Sequence, residues 1–168
     1  MAVEWSQRLP KRYAEATVAS LADNFSALAD WDWPQGKGPL IHGPLGIGKS
    51  YCAAAIARQK FHAYHVAFVS VTSWLEDRRQ SMNGAEIVRP ELEKARLVIL
   101  DDLGRERPSS WTVEQLFKLI DDLYVAEKQL IVTTNKQPLE LAGHVGDAGF
   151  DRLKELTTCM RVEGESRR

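Results

Sequence analysis

Short apolar runs, each closed by polar or glycine-rich residues and followed by a helical pattern, set the rhythm of this chain. Pro39-Leu40-Ile41-His42, His65 to Val71, Leu97-Val98-Ile99-Leu100 and Leu130-Ile131-Val132-Thr133-Thr134 are continuous rather than alternating in their apolar positions. Continuous runs of this length fit strands buried on both faces. Helical patterns lie between them. Tyr51 to Arg58 is rich in alanine, the best helix former. Ser73-Trp74-Leu75-Glu76 has the form of a capping box, opening a helix that fades near Asn83-Gly84. Pro90 to Arg96 is a short charged helix. Pro108-Ser109-Ser110 caps a long one to about Ala126, with Val113, Leu116, Phe117, Ile120, Leu123 and Tyr124 on its apolar face. Pro138 to Gly146 reads as a short helix and loop, Phe150 to Leu156 as a last short helix, and Cys159 to Val162 as a candidate fifth strand. Strands alternating with helices predict an α/β fold with a mainly parallel sheet covered on both faces. Ligands of such sheets bind at the carboxyl ends of the strands.

Residues 1–37 hold no strand pattern. Tyr13 to Leu28 reads as helical, with Ala16, Ala19, Leu21 and Leu28 among its apolar positions, and Trp31 to Gly38 breaks that pattern. The expected organisation is a single domain, with an N-terminal helical segment over 1–37 packed on a core over 38–168 through Trp5, Trp31 and Trp33. Composition changes little: 44% hydrophobic and 27% charged residues suit one globular core. A net charge of −1 argues against a whole-molecule basic field, so any nucleic-acid contact must come from a local patch. Cys52 and Cys159 match no zinc spacing and read as reduced, buried small residues. No apolar run approaches membrane-span length, and Met1-Ala2-Val3-Glu4 does not open a signal peptide. The expectation is a cytoplasmic protein with no membrane contact.

The chemistry concentrates in Gly43-Pro44-Leu45-Gly46-Ile47-Gly48-Lys49-Ser50, which reads G-x-x-x-x-G-K-S. This is the phosphate-binding loop of nucleotide hydrolases, lying here between a strand and a helix as the motif requires. The glycines let the backbone turn its N–H groups around phosphates. Lys49 offers a compact positive charge. Ser50 offers a hydroxyl to Mg²⁺ and opens a helix whose N-terminus favours anions; Tyr51 follows in its first turn. Leu97-Val98-Ile99-Leu100-Asp101-Asp102 ends an apolar strand in two carboxylates. Asp101 is suited to hold the metal and Asp102 to orient or deprotonate the attacking water. At the end of the next strand Asn135 is placed to hold that water; a plain turn residue is the alternative.

In these residues the chain resembles the AAA+ ATPases of the DnaC/IstB group, bacterial and phage replicative helicase loaders and transposition helpers. The matching stretches are Gly43 to Ser50, Leu97 to Gly104, Val132 to Asn135 and the tail Gly164-Glu165-Ser166-Arg167-Arg168. The resemblance implies a P-loop NTPase three-layer sandwich with a five-stranded sheet and a lid subdomain short or absent. It implies ATP or ADP with Mg²⁺ at Ser50 and Asp101, a catalytic Asp102 and a sensor Asn135. Arg152 matches the arginine finger given to a neighbouring subunit, with an ordinary helix arginine paired to Asp151 or Glu155 as the alternative. Ala148 stands where many relatives carry a second arginine. The implied partners are a hexameric replicative helicase, further copies of the chain on ATP binding, and single-stranded DNA held by Arg78, Arg79 and Arg89. For those arginines a solvated helix face is the competing reading, and Arg105 and Arg107 are further candidates. Trp74 is either a base-stacking platform or a buried anchor, and Tyr13 lies near the adenine by the resemblance. The expected function is that of an ATP-hydrolysing helicase loader acting in DNA replication; a transposition helper and a nucleotide-gated adaptor with little hydrolysis are the alternatives.

Overall fold

The computed structural model describes residues 4–82 and 90–166. Five strands form one sheet: β1 (Gly38–His42), β2 (Val66–Ser70), β3 (Leu97–Asp101), β4 (Gln129–Thr134) and β5 (Thr157–Arg161). All pairings are parallel, in the order β2-β3-β4-β1-β5. The helices are α1 (Ser26–Ala29), α2 (Lys49–Lys60), α3 (Val71–Met82), α4 (Pro90–Lys94), α5 (Ser110–Val125) and α6 (Ala142–Leu156). The parallel α/β architecture expected from the apolar runs is the one observed, and the candidate fifth strand forms as β5.

The continuity of those runs has a plain cause: successive strand residues feed opposite cores. Leu40, Val98, Leu100, Leu130 and Val132 face one side, where they meet Leu116, Ile120 and Leu123 of α5, Val145 and Leu153 of α6, and Trp74 of α3. Ile41, Leu97, Ile99 and Ile131 face the other, against α2. Six successive residues of α2, Cys52 to Ala57, are buried. Its four alanines let the helix lie close to the sheet with no side chain to clear.

The N-terminal segment covers this second face. Leu9, Ala16, Phe25, Leu28 and Trp31 join the α2 core, and Trp5 and Trp33 pack partly buried against it. Its local structure differs from the expected helix over Tyr13 to Leu28. The chain makes separate 3₁₀ turns at Lys11–Tyr13, Val18–Ser20 and Asp23–Phe25 before the single turn of α1. Ser20 and Thr17 bond each other's backbone groups, the local competition that unseats helices in Ser/Thr-rich stretches. Other boundaries shift too. The α3 helix begins at Val71, directly off β2, so Ser73 lies inside it rather than capping it. The cap of α5 is Ser109, which exchanges hydrogen bonds with Thr112. The two short helical stretches after Pro138 are a 3₁₀ turn, Pro138–Leu141, running into α6, which is kinked at Gly146 (φ 74°, ψ 161°). Cys52 is buried as expected, but Cys159 on the edge strand β5 is exposed. Among the described residues no helix is long and apolar enough to cross a membrane.

Two glycines make opposite predictions. A Cβ on Gly38, at the start of β1, would sit 1.8 Å from the Leu130 carbonyl oxygen of β4. Gly38→Ala is therefore expected to cost at least about 3 kcal/mol in urea unfolding, the upper range for overpacking. A Cβ on Gly143 of α6 meets nothing within 4 Å, so Gly143→Ala should be neutral or stabilising by about 0.5–1 kcal/mol. Equal effects at the two sites would contradict the close β1–β4 approach.

Candidate nucleotide-binding site

Strand order builds the site. Val132 of β4 stands in register with Leu40 of β1 on one side and Leu100 of β3 on the other. The residues at the carboxyl ends of these three strands therefore emerge side by side: Gly43 to Ser50 after β1, Asp101 and Asp102 at the end of β3, Thr133 to Asn135 at the end of β4. The loop after β1 curls through positive φ at Gly46 (82°) and Gly48 (105°), a region open to glycine at little cost. Ile47 is fully buried beneath the loop, while Pro44 is exposed and Leu45, at its tip, is 58% exposed.

A cavity of about 400 Å³ opens over the loop, lined by Leu45 to Tyr51, Asp102 and Asn135, with Arg12, Tyr13, Ser20, Leu21, Ala22 and Phe25 forming its far wall. Of the sequence-predicted residues, Leu45 to Tyr51, Asp102 and Asn135 come together here, while Asp101 lies behind them, hydrogen-bonded to Ser50, and Gly43 and Pro44 fall outside the lining. Lys49 is buried, and its Nζ donates to the carbonyls of Gly43 (2.9 Å) and Pro44 (2.6 Å) and to Asn135 Oδ1 (2.6 Å). Tyr51 reaches from the first turn of α2 to the N-terminal segment, its hydroxyl 2.8 Å from Ser20 Oγ.

Asp101 and Asp102 are adjacent but live in different surroundings. Asp101 is buried; desolvation raises its carboxyl pKa, opposed by hydrogen bonds from Ser50 and Thr133. Asp102 is more open and adopts φ 60°, with Oδ2 accepting from Arg105 at 3.3 Å. Thr133 joins the two: its Oγ1 donates to Asp101 Oδ1 at 2.7 Å and accepts from the Asp102 backbone N–H at 3.0 Å. The donor set fits both expected guests. The glycine-bent loop over the cavity, with Lys49, suits a phosphate chain, and the paired oxygens of Ser50 and Asp101 suit a hard divalent cation.

Other expected residues lie elsewhere. Arg152 does not line the cavity. It sits on α6 against α5, with Nε on Asp121 Oδ1 (3.3 Å), NH1 3.9 Å from Glu155, and its guanidinium 4.1 Å from the Tyr124 ring centre. Arg78 bonds Gln115 and lies over Trp74, while Arg79 lies over Trp111; both arginines are exposed. Trp74 is buried. Arg89 lies outside the described residues, as do Arg167 and Arg168 of the tail. The sequence reading missed Thr133 and, apart from Tyr13, the far wall. A β-branched residue one place before a strand end was the available signal for Thr133; the wall is a tertiary accident of the 3₁₀ turns.

Known proteins resemble this chain in sequence and in fold. The family described as IstB-like ATP binding protein matches residues 14–168. An ATP-binding protein of an insertion sequence from Mycobacterium tuberculosis is 27% identical over 146 residues, 79% of this chain and 56% of that protein. The chromosomal replication initiator protein DnaA of Geobacter metallireducens is 31% identical over 146 residues, 79% of this chain and 29% of that protein. The chain thus spans little more than half the length of the first relative and under a third of the second. Among solved structures, the DnaC helicase loader has a TM-score of 0.74 at 20% identity, covering 91% of this chain and 99% of its own. AMPPCP-bound DnaA from Aquifex aeolicus has a TM-score of 0.63 at 22% identity, covering 88% of this chain and 50% of its own. Both are likenesses of the P-loop AAA+ fold.

The buried carboxylate gives a prediction with a definite sign. Because burial raises the Asp101 pKa, the folded state holds this proton more tightly than the unfolded chain. The stability so gained is full below the ordinary carboxylate value and lost as pH rises through the folded value. At neutral pH the ionised group therefore burdens the fold. In metal-free buffer Asp101→Asn is expected to raise Tm at pH 7.5. The gain should shrink toward pH 4.5. A lower Tm at pH 7.5, by calorimetry, would contradict the desolvated carboxylate.

Proposed function

The chain belongs to the IstB-like ATP binding protein family, and from that premise we propose that it is an ATPase. It self-associates with ATP on DNA and acts in replication as a helicase loader, in the cytoplasm. The observation that carries the reading is the convergence of Lys49, Ser50, Asp102 and Asn135 on one cavity, with Asp101 hydrogen-bonded to Ser50.

In this reading the loop amides and Lys49 hold the phosphates of ATP, and Tyr13, on the far wall, lies beside the base. Ser50 and Asp101 would hold Mg²⁺, which when bound neutralises charge on the outer phosphates. Asp102 orients a water for in-line attack on the terminal phosphorus and accepts its proton at a carboxylate oxygen, giving ADP and phosphate. The Thr133 bond to its backbone fixes the direction from which Asp102 approaches. Asn135 holds the water's other side once Lys49 has turned to the phosphates. Arg152 serves a neighbouring copy. Its absence from its own cavity supports that assignment, and its contacts with Asp121 and Tyr124 keep the guanidinium ordered before assembly. The exposed Arg78 and Arg79, with Arg89, meet the phosphates of single-stranded DNA.

A second reading has its own support. The relative from an insertion sequence favours a transposition helper whose partner is a transposase. Capture by the immobilised chain with ATP separates the two: a hexameric helicase is retained in one case and a transposase in the other. The DnaA relatives favour replication.

Steady-state hydrolysis against protein concentration, with and without single-stranded DNA, tests the main reading. The rate per chain should climb with both, and Lys49→Ala should abolish nucleotide binding. A flat or absent rate with ATP still bound would replace the ATPase by a nucleotide-gated adaptor. Asp102→Asn should lower kcat by about 10²–10⁴-fold, the usual range for a lost general base, while ATP binding by calorimetry stays intact. An unchanged kcat would remove Asp102 from the chemistry.

A further inference from the structure

The phosphate loop has a second side. Its first turn borders another cavity, of about 510 Å³, at the carboxyl ends of β4, β1 and β5. Gly43 and Pro44 form one wall, and His42, Asn135, Gln137, Arg161 and Glu163 supply side chains to the rest. Asn135 lines both cavities, and its contact with Lys49 stands where they meet.

His42 and Arg161 of this second cavity are among the residues with no part in the proposed function. His42 ends β1 and Arg161 ends β5, and the two are register partners across the parallel pair. His42 is only 7% exposed, and its Nδ1 is buried with no hydrogen-bond partner among the described residues. An unmet buried polar atom costs about 1–3 kcal/mol, a cost that persists where something outside the fold relieves it. Arg161 is mostly exposed, and NH2 meets Glu163 Oε1 at 2.8 Å. An exposed pair of this kind contributes about 0–1 kcal/mol, so the guanidinium is free to exchange Glu163 for a stronger acceptor. Burial first, then Arg161 and Lys49, lower the His42 pKa. The ring is therefore neutral near pH 7, and two fixed cations flank it.

We propose that this second cavity is a phosphate-anion site, with Arg161 as the binding cation and the His42 ring as a hydrogen-bonding partner on the same anion. The guanidinium fork matches phosphate oxygens two at a time. Phosphate can reach the site from two sources: the terminal phosphate of a nucleotide held across Lys49 and Asn135, or free inorganic phosphate, including that left by cleavage. Only the first source rests on the nucleotide reading.

The test is a titration with inorganic phosphate at constant ionic strength, followed by the His42 ring signals in NMR and assigned with His42→Asn. ADP binding is measured separately by calorimetry. Phosphate should move the His42 signals saturably. Arg161→Gln should weaken that response at least tenfold while leaving ADP affinity unchanged. Glu163→Gln should tighten it by about threefold, the equivalent of one released surface pair. AMPPCP then separates the sources. If it moves His42 as phosphate does and loses affinity in Arg161→Gln, the terminal phosphate fills the site. If its affinity is unchanged and phosphate binds beside ADP, the free anion does. No phosphate or AMPPCP response at His42, with ADP still bound, overturns the proposal. Loss of ADP binding in the unaltered chain would sink the nucleotide reading alone.

Discussion

Everything at the working edge of this molecule depends on β4 being threaded between β1 and β3. The chain visits β1 and β3 before it makes β4, and parallel pairing on both flanks then locks Val132 level with Leu40 and Leu100. That register is enforced by burial. A slip of one residue would exchange the two cores, turning Ile131 toward α5 and Val132 toward α2. With slippage forbidden, three loops distant in sequence end at the same height, and their polar groups meet without any of them having to search.

The same burial makes the polar groups expensive. Lys49, Asp101 and Thr133 are each almost wholly removed from water, where a lone charge is disfavoured unless it is hydrogen-bonded. The fold answers with short local bonds: loop carbonyls and Asn135 around the Lys49 ammonium, Ser50 and Thr133 around Asp101. These bonds do not remove the cost at Asp101, whose pKa stays raised. A phosphate chain with its cation would meet both charges at once. In this sense the site is held in readiness by groups that are only partly satisfied.

Much of this was legible in the sequence, for physical reasons that differ by element. The strands were legible because a doubly covered parallel sheet needs apolar side chains at every position, and Leu97 to Leu100 can be little else. The phosphate loop was legible because its glycines and Lys49 are tied to fixed offsets. The N-terminal segment was not. Ala16, Leu21 and Leu28 fall at helical spacings, yet Thr17 and Ser20 capture the local backbone groups and the segment bends to follow the α2 surface instead. Ser73 was misplaced as a cap because α3 continues straight from β2 with no turn between. Thr133 escaped notice because its role exists only once β3 and β4 are neighbours. The exposure of Cys159 follows from β5 being an edge strand, which its short length could not announce.

One further consequence lies in how the end of the described chain is moored. Beyond β5, the Val162 N–H bonds the His42 carbonyl, and Asn24 Nδ2 donates to the Glu163 carbonyl at 2.8 Å. Ser166 then lies so close to the phosphate loop that a methyl group on Gly46 would collide with it. A tug on this strand would load β1 in shear along its own axis, the direction in which parallel ladders resist best. The Asn24 clasp would instead be peeled open one bond at a time. Tension arriving from that end would thus meet the single Asn24 bond, beside Ala22 and Phe25 of the cavity wall, before it met the paired strands of the sheet.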